Sequence, residues 1–129
     1  VLMHYTDKVI ILAYVYMYIY MICSGSPEAP DVIMANTIGP DMVQVVVNPS
    51  SSGGLPTSYN VTISNSSYVY NNTTPAFPNG SAMIIFTGAG LTNNTNYTIS
   101  SVAINCAGPS NSSDSIIILV SCTYMYKYC

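Results

Sequence analysis

Positive charge is almost missing from this sequence. Lys8 and Lys127 are its only lysine or arginine residues, and charged residues of both signs make up 5% of the 129 residues. Binding to nucleic acid requires clusters of lysine and arginine that neutralise phosphates. The composition therefore predicts no nucleic-acid partner, and it argues equally against a site for phosphate-bearing or acidic substrates.

Histidine is nearly absent as well, because His4 is the only one and it lies close to one end. No Ser-His-Asp or Cys-His arrangement can then be built in the central part of the chain. The acids Glu28 and Asp31 lie in a proline-containing segment that we expect to be exposed to solvent. The stretch Gly88-Ala89-Gly90 lacks the lysine and the helix of a phosphate-binding loop. The sequence predicts no enzyme, no cofactor and no metal site.

Asparagine takes the place of charge. An ordinary soluble domain has about 25% charged residues, whereas here eight of the twelve asparagines stand in Asn-x-Ser/Thr sequons. The sequons begin at Asn60, Asn65, Asn71, Asn72, Asn79, Asn93, Asn96 and Asn111. N-glycans at these positions would solubilise an extracellular protein. The alternative is that a chain rich in Asn, Ser and Thr forms sequons by chance. The sequons at Asn71 and Asn72 overlap, so we expect at most one of them to be used.

Alternation of apolar residues with period two predicts strands and no helix. Alternate residues from Val43 to Val47 and from Tyr59 to Ile63 share one face, and the segment 49–56 between them is rich in turn formers. The predicted strands lie near residues 31–37, 43–48, 59–64, 68–71, 83–86, 97–103 and 116–120. Residues 72–80 are predicted to form a long polar loop and 107–111 a compact turn. The last strand, an unbroken apolar run, is predicted to be covered on both faces or to be an association surface.

Two motifs carry a resemblance to a known family. Tyr97 follows Leu91 by six residues, at the start of a predicted strand that leads into Ala103-Ile104-Asn105-Cys106-Ala107-Gly108. With the strand and turn pattern, these residues resemble a fibronectin type III domain over roughly residues 27–121. The resemblance implies an all-β fold: a seven-stranded antiparallel two-sheet β-sandwich of immunoglobulin-like topology. It also implies structural roles, which fall to Leu91, Tyr97, Ala103, Asn105 and Gly108.

The tyrosine of this motif has an expected geometry. The ring of Tyr97 should fill the core beneath a turn, while its hydroxyl bonds to a backbone group a few residues upstream. Three positions depart from the family pattern: Val47 stands in place of a large tryptophan, Asn93 in place of a proline, and Ser101 in place of a branched apolar residue. We expect Tyr59 and Phe86, with isoleucines of the last strand, to supply the missing core volume. Ser101, if buried, must find a hydrogen-bond partner.

The four cysteines lie at Cys23, Cys106, Cys122 and Cys129. In a sandwich of this kind the first strand starts at the pole where the strand ending near Cys106 finishes, so a disulfide between Cys23 and Cys106 is predicted. Cys122 would lie toward the far pole. Unpaired cysteines, or cysteines at the end of a fragment, remain the alternative. Their spacing lacks the close pairs of a zinc site.

The ends of the chain differ from its middle in their residue pattern. Residues 1–25 contain an apolar run from Val9 to Cys23 that follows Lys8 and precedes small residues, an order typical of a secretory signal. A membrane anchor and translated flanking sequence are the alternatives; the run is short for a span, which needs about 20 residues. The predicted organisation is a signal-like or spurious segment over 1–25, the fibronectin type III domain over 26–122, and a disordered tail over 123–129.

The expected function follows from the resemblance. Fibronectin type III domains occur in tandem in adhesion proteins, receptor ectodomains and matrix proteins, and they contact other proteins through loops and sheet faces. The integrin-binding Arg-Gly-Asp tripeptide is absent. We expect a non-enzymatic extracellular interaction module with an unidentified protein partner and neighbouring domains, in contact with a membrane only through an anchor or a span elsewhere. The alternative is a passive N-glycosylated spacer in a larger membrane or matrix protein, with catalysis in another domain.

Overall fold

The described part of the chain, residues 25–121 of a computed structural model, folds into two antiparallel β-sheets without a helix. The strands are β1 Asp31–Gly39, β2 Met42–Asn48, β3 Ser58–Asn65, β4 Tyr68–Pro75, β5 Ala82–Thr87, β6 Thr95–Asn105, β7 Gly108–Ser112 and β8 Ile116–Val120. The predicted all-β sandwich is confirmed. The predicted terminal segments lie outside these residues, apart from Gly25, so the domain boundaries stay predictions.

One sheet has three strands in the order β1-β2-β5, and the other has β4-β3-β6-β7 with β8 also paired to β6. The strand count is therefore eight where seven were predicted, because the last strand of the sandwich is divided into β7 and β8. Both pieces pair with β6, at opposite ends of that long strand.

The core lies between the sheets and is filled by alternate residues of the central strands. Tyr59, Tyr97 and Phe86 are the largest side chains that are almost completely buried, and Val47 is buried among them in the absence of tryptophan. Buried Ser101 finds the partner it requires, since its hydroxyl donates to the Asn60 carbonyl at 3.3 Å. The core closes with aromatic rings from β3, β5 and β6.

Strand β4 is longer than predicted. All eight residues from Tyr68 to Pro75 pair with β3 in continuous register, so the loop predicted over 72–80 is wrong in its first half. The polar run Asn71-Asn72-Thr73-Thr74 shows no apolar alternation, because β4 is exposed along most of its length. Pairing with β3, rather than burial, makes this segment a strand.

The turn predicted over 107–111 is also wrong. Only Cys106 and Ala107 form the turn, and β7 then pairs back onto β6. β7 consists of residue types that favour turns, yet it forms a strand because it pairs with β6. The Ser110 hydroxyl also accepts a hydrogen bond from the Ala103 N–H at 2.9 Å. The chain leaves the sheet again at Ser113, whose N–H donates to the Ser101 carbonyl at 2.8 Å.

Strand β8 has one buried and one exposed face, so the expectation that both faces of the apolar run are covered is wrong. That the strand is an association surface stays a prediction. Ile118 is 9% exposed, whereas Ile117 is 71% and Leu119 53% exposed. Its free edge is partly covered by β1, since the Thr37 hydroxyl donates to the Leu119 carbonyl at 3.3 Å. The run is thus one-sided, with its outer residues left at the surface.

The buried phenol of Tyr59 makes stability sensitive to high pH. Its hydroxyl donates to the Gly80 carbonyl, and burial raises the pKa of Tyr59 from 10.0 to about 12. Because the folded pKa exceeds the unfolded one, this contribution is complete below pH 10 and is lost as pH rises through about 12. We expect a loss of about 2–3 kcal/mol across that window.

Chemical denaturation at fixed pH values from 9 to 12 measures this loss. The matched control is Tyr59→Phe, which should be less stable at neutral pH by about 1–3 kcal/mol, because the buried Gly80 carbonyl loses its donor. The difference in stability between the two proteins should shrink as the pH rises. A difference that stays constant would contradict the prediction.

Candidate interaction surface

The first motif residue, Tyr97, lies beneath the loop that joins β5 to β6. Its ring is buried and meets the ring of Tyr68 edge to face, with 5.9 Å between centroids. Its hydroxyl oxygen accepts a hydrogen bond from the Thr92 N–H at 2.9 Å, five residues upstream. This is the geometry of a tyrosine corner, and it gives Tyr97 a structural role.

The same loop is fastened from the other sheet. Asp41, at positive φ in the turn between β1 and β2, accepts the Leu91 N–H at 2.7 Å through Oδ1 and the Gly90 N–H at 3.0 Å through Oδ2. Leu91 is buried above the core. The carboxylate of Asp41 is thus used to hold a loop.

Asn105 and its neighbours organise the opposite pole. The Asn105 side-chain amide donates to the Gly25 carbonyl at 2.8 Å, and its oxygen accepts from the Ala107 N–H at 2.8 Å. Ala103, two residues before Asn105 on β6, is buried. Gly108 is the first residue of β7 and has a φ of 125°. These residues fix the turn after β6 in place.

The loop between β2 and β3 is held at this pole too. Gly54 donates to the Ser26 carbonyl at 3.1 Å, and Pro27 forms an isolated bridge with Gly53. A Cβ on Gly54 would come within 2.0 Å of the Gly25 oxygen. Glycine at 54 therefore permits the close approach of two backbone segments, which holds the loop in place.

Cys106 lies in the β6–β7 turn and is disulfide-bonded. It is the only cysteine among residues 25–121, so its partner lies outside the described residues. The predicted partner, Cys23, is one of those outside. Their pairing stays a prediction.

The sequons are distributed unevenly between the sheets. The strands of the three-stranded sheet, β1, β2 and β5, contain none of them. The sequon asparagines that are exposed are Asn71, Asn72, Asn79, Asn93, Asn96 and Asn111. Asn65 is half-buried, and so is Asn60, whose Oδ1 is shielded without a hydrogen-bond partner among the described residues. Asn60 is thus the sequon least suited to carry a glycan.

The outer face of the three-stranded sheet is apolar, and we call it the outer apolar face. Met34, Val46 and Met83 stand opposite one another in a row across β1, β2 and β5. Ile85 lies in the next row beside Gln44, whose amide donates to the Met83 sulfur at 2.8 Å. Met83 is 43% and Ile85 41% exposed.

This face carries almost no charge. The only charged residue of its three strands is Asp31, the first residue of β1. The alternation of residues 43–47 predicts that Val46 lies on the face away from the core, but it does not indicate an apolar patch. The missing signal was the register, which brings single apolar residues of three strands together.

Residues 25–121 contain no group of three or more His, Cys, Asp or Glu that could hold a metal ion. Within the same range, no helix has the length and hydropathy required to cross a membrane. The predicted apolar segment from Val9 to Cys23 lies outside it.

Solved structures share this architecture. The fn3 domain of human collagen alpha-1(XX) chain superposes with a TM-score of 0.61 at 20% identity, over 81% of this chain and 94% of that domain. This sandwich has the fibronectin type III fold. The predicted resemblance is confirmed at the level of the fold. No family model and no curated protein matches the sequence.

Two further solved structures with a similar fold differ in length. The FN5 domain of Drosophila Lar matches with a TM-score of 0.55 at 16% identity, over 74% of this chain and 97% of that domain. The chicken interferon gamma receptor alpha chain matches with a TM-score of 0.59 at 15% identity, over 73% of this chain. The match covers 51% of the receptor chain.

Proposed function

We propose that this chain is a non-enzymatic extracellular module that binds another protein through the outer apolar face. The proposal rests mainly on one observation: the exposed apolar side chains of the three-stranded sheet stand together on one outer face, and the strands of that sheet carry no sequon. Glycans on the other sheet and on the loops would keep those surfaces solvated and leave this face bare. A bare apolar patch rimmed by polar surface is typical of protein contact sites.

The side chains of this face suit a protein partner. Two of them are methionines, whose flexible and polarisable chains adapt to a facing surface. Because charge is absent, burial of Met83 and Ile85 incurs little desolvation cost. The partner surface should itself be apolar and low in charge. The fold relatives include a receptor chain and a collagen chain domain, which supports the proposed class of protein.

Lysine substitutions on the face test the proposal. Met83→Lys and Ile85→Lys should each weaken a saturable partner, found in an ectodomain binding screen, by about tenfold or more, because an unpaired charge would be buried. The control is Ile117→Lys on β8, which alters an exposed residue of the other sheet. Affinity is measured by surface plasmon resonance on proteins of equal melting temperature. Loss of binding in Ile117→Lys, with binding retained in Met83→Lys and Ile85→Lys, would contradict the proposal.

The alternative, a passive glycosylated spacer between neighbouring domains, is favoured by the six exposed sequon asparagines. A spacer would bind no partner saturably, and the lysine variants would change nothing. Binding that disappears only after glycan removal would assign recognition to the sugars. The same screen thus decides between the two functions.

A further inference from the structure

The edge of the five-stranded sheet formed by β4 is open along its whole length in the described residues. β4 is the terminal strand, paired on one side with β3 through eight consecutive residue pairs. Its burial pattern shows it exposed at six of eight positions. Val69 is 68% exposed. The other side of β4 is therefore paired with no strand among the described residues.

The hydrogen bonds show which main-chain groups of β4 lie on that side. The Ala76 N–H donates to the Thr57 carbonyl at 2.9 Å just beyond the strand. Since paired residues of an antiparallel ladder alternate between bonded and non-bonded, residues 69, 71, 73 and 75 direct their main chain away from β3. Two observations agree: Pro75 has no N–H, and the Thr73 N–H is taken up by the Asn72 side chain at 2.9 Å.

β4 lacks most of the devices that protect an edge. Natural edge strands are kept short or carry charge, proline or a bulge. β4 has no charged residue and no register shift, and its only proline is the last residue. By contrast, β1 has two register shifts, and β8 is partly covered by β1. Two overlapping sequons lie in the middle of β4, at Asn71 and Asn72.

We propose that β4 pairs antiparallel with β4 of a second copy of this chain, and that an N-glycan at Asn71 or Asn72 blocks the pairing. A two-fold axis perpendicular to the sheet and passing beside Asn71 pairs Asn71 with itself and Val69 with Thr73. This register joins Val69, Asn71 and Thr73 of the two copies, leaves Pro75 outside the pairs, and continues one sheet into the next. The absence of charge means that identical strands do not repel each other.

The glycan would lie at the centre of that contact. Asn71 and Asn72 are both exposed, and a branched sugar on either one occupies the space of the opposite strand. Without a glycan the edge is open. The blocking of the contact by a glycan rests on the proposed extracellular function, whereas self-pairing of the unmodified chain does not. The occupied sequon would thus set the oligomeric state.

The first experiment uses the full, oxidised chain from a bacterial host, which adds no N-glycan. Sedimentation velocity is run up to about 100 µM, because a single strand edge buries less than a standard interface. Thr73→Pro removes the outward N–H that the opposite strand would take over from the Asn72 side chain. The β3 ladder is spared, and dimerisation should weaken by about tenfold or more. Thr73→Val keeps that N–H and should dimerise like the unchanged protein.

The second experiment uses the chain from a secretory host, with site occupancy checked by mass spectrometry. The unchanged protein and Asn96→Gln, which loses a glycan on β6, should be monomers. Asn71→Gln/Asn72→Gln should dimerise. Thr73→Pro also destroys both sequons, yet should remain monomeric because its edge is blocked.

Three outcomes would overturn the inference. They are a monomeric bacterial protein at the highest concentration, equal association of Thr73→Pro and Thr73→Val, and a secreted protein that dimerises with its β4 glycan present. Equal association would place the contact elsewhere in the chain. Ile85→Lys, which tests the outer apolar face, should leave dimerisation unchanged, so failure of one proposal is distinguishable from failure of the other.

Discussion

Replacing Tyr97 with alanine is expected to lower the free energy of unfolding by about 3–5 kcal/mol. The ring is 2% exposed and packs against Tyr68 beneath the β5–β6 loop. Its removal leaves a cavity where two sheets and a loop meet, and the Thr92 N–H loses its acceptor. A domain of this size has about 5–15 kcal/mol of stability in all, so the variant should be close to unfolding at 37 °C.

Tyr97→Phe separates the hydroxyl from the ring. It keeps the packing and should cost about 1–2 kcal/mol, the value of one hydrogen bond that leaves a part-buried donor unsatisfied. Urea denaturation followed by circular dichroism measures both variants. Tyr70→Ala is a control, since Tyr70 also meets an aromatic ring, Phe86, but is partly exposed on β4. Equal losses for Tyr70→Ala and Tyr97→Ala would contradict a special role for Tyr97.

The second large effect is expected at Cys106. Cys106→Ser should lower the free energy of unfolding by about 2–4 kcal/mol, because the disulfide limits the conformations of the unfolded chain. Denaturation of the unchanged protein with and without reductant measures the same quantity by another route. Reduction should destabilise the unchanged protein and leave Cys106→Ser unaffected. A variant as stable as the oxidised protein would contradict the prediction.

We propose Cys23 as the partner of Cys106. The pole where β6 ends already holds the segment that starts at Gly25, through the bonds Asn105–Gly25 and Gly54–Ser26. Two residues span at most about 7 Å, which brings Cys23 within reach of Cys106. Peptide mapping under non-reducing conditions identifies the pair. Cys23→Ser should match Cys106→Ser in stability, whereas Cys122→Ser should match the unchanged protein; the reverse would assign the bond to Cys122.

The sequence predicts the strands that alternate strictly between core and solvent. β2, β3 and the first part of β6 do so, because each has one face against the core. Tyr97 could be placed because the spacing from Leu91 reflects a local turn. In these segments the side-chain pattern and the tertiary environment agree, so local reasoning was sufficient.

Segments whose structure depends on a neighbouring strand were predicted poorly. The second half of β4 and all of β7 consist of polar or turn-forming residues, and only their pairing with β3 and β6 makes them strands. The outer apolar face was missed for a related reason. Met34, Val46 and Met83 are far apart in sequence, and no local pattern tells which residues of three strands will stand in one row.

The break between β7 and β8 bears on where the chain can accept inserted residues. Ser113 and Ser101 exchange two hydrogen bonds, N–H to carbonyl at 2.8 Å and N–H to hydroxyl at 2.9 Å, which clamp the end of β7. Asp114 and Ser115 follow, exposed and outside any strand. A residue inserted there would bulge into solvent while β8 kept its partners on β6. The break between β7 and β8 is therefore the position at which an insertion would leave the register of β8 on β6 unchanged.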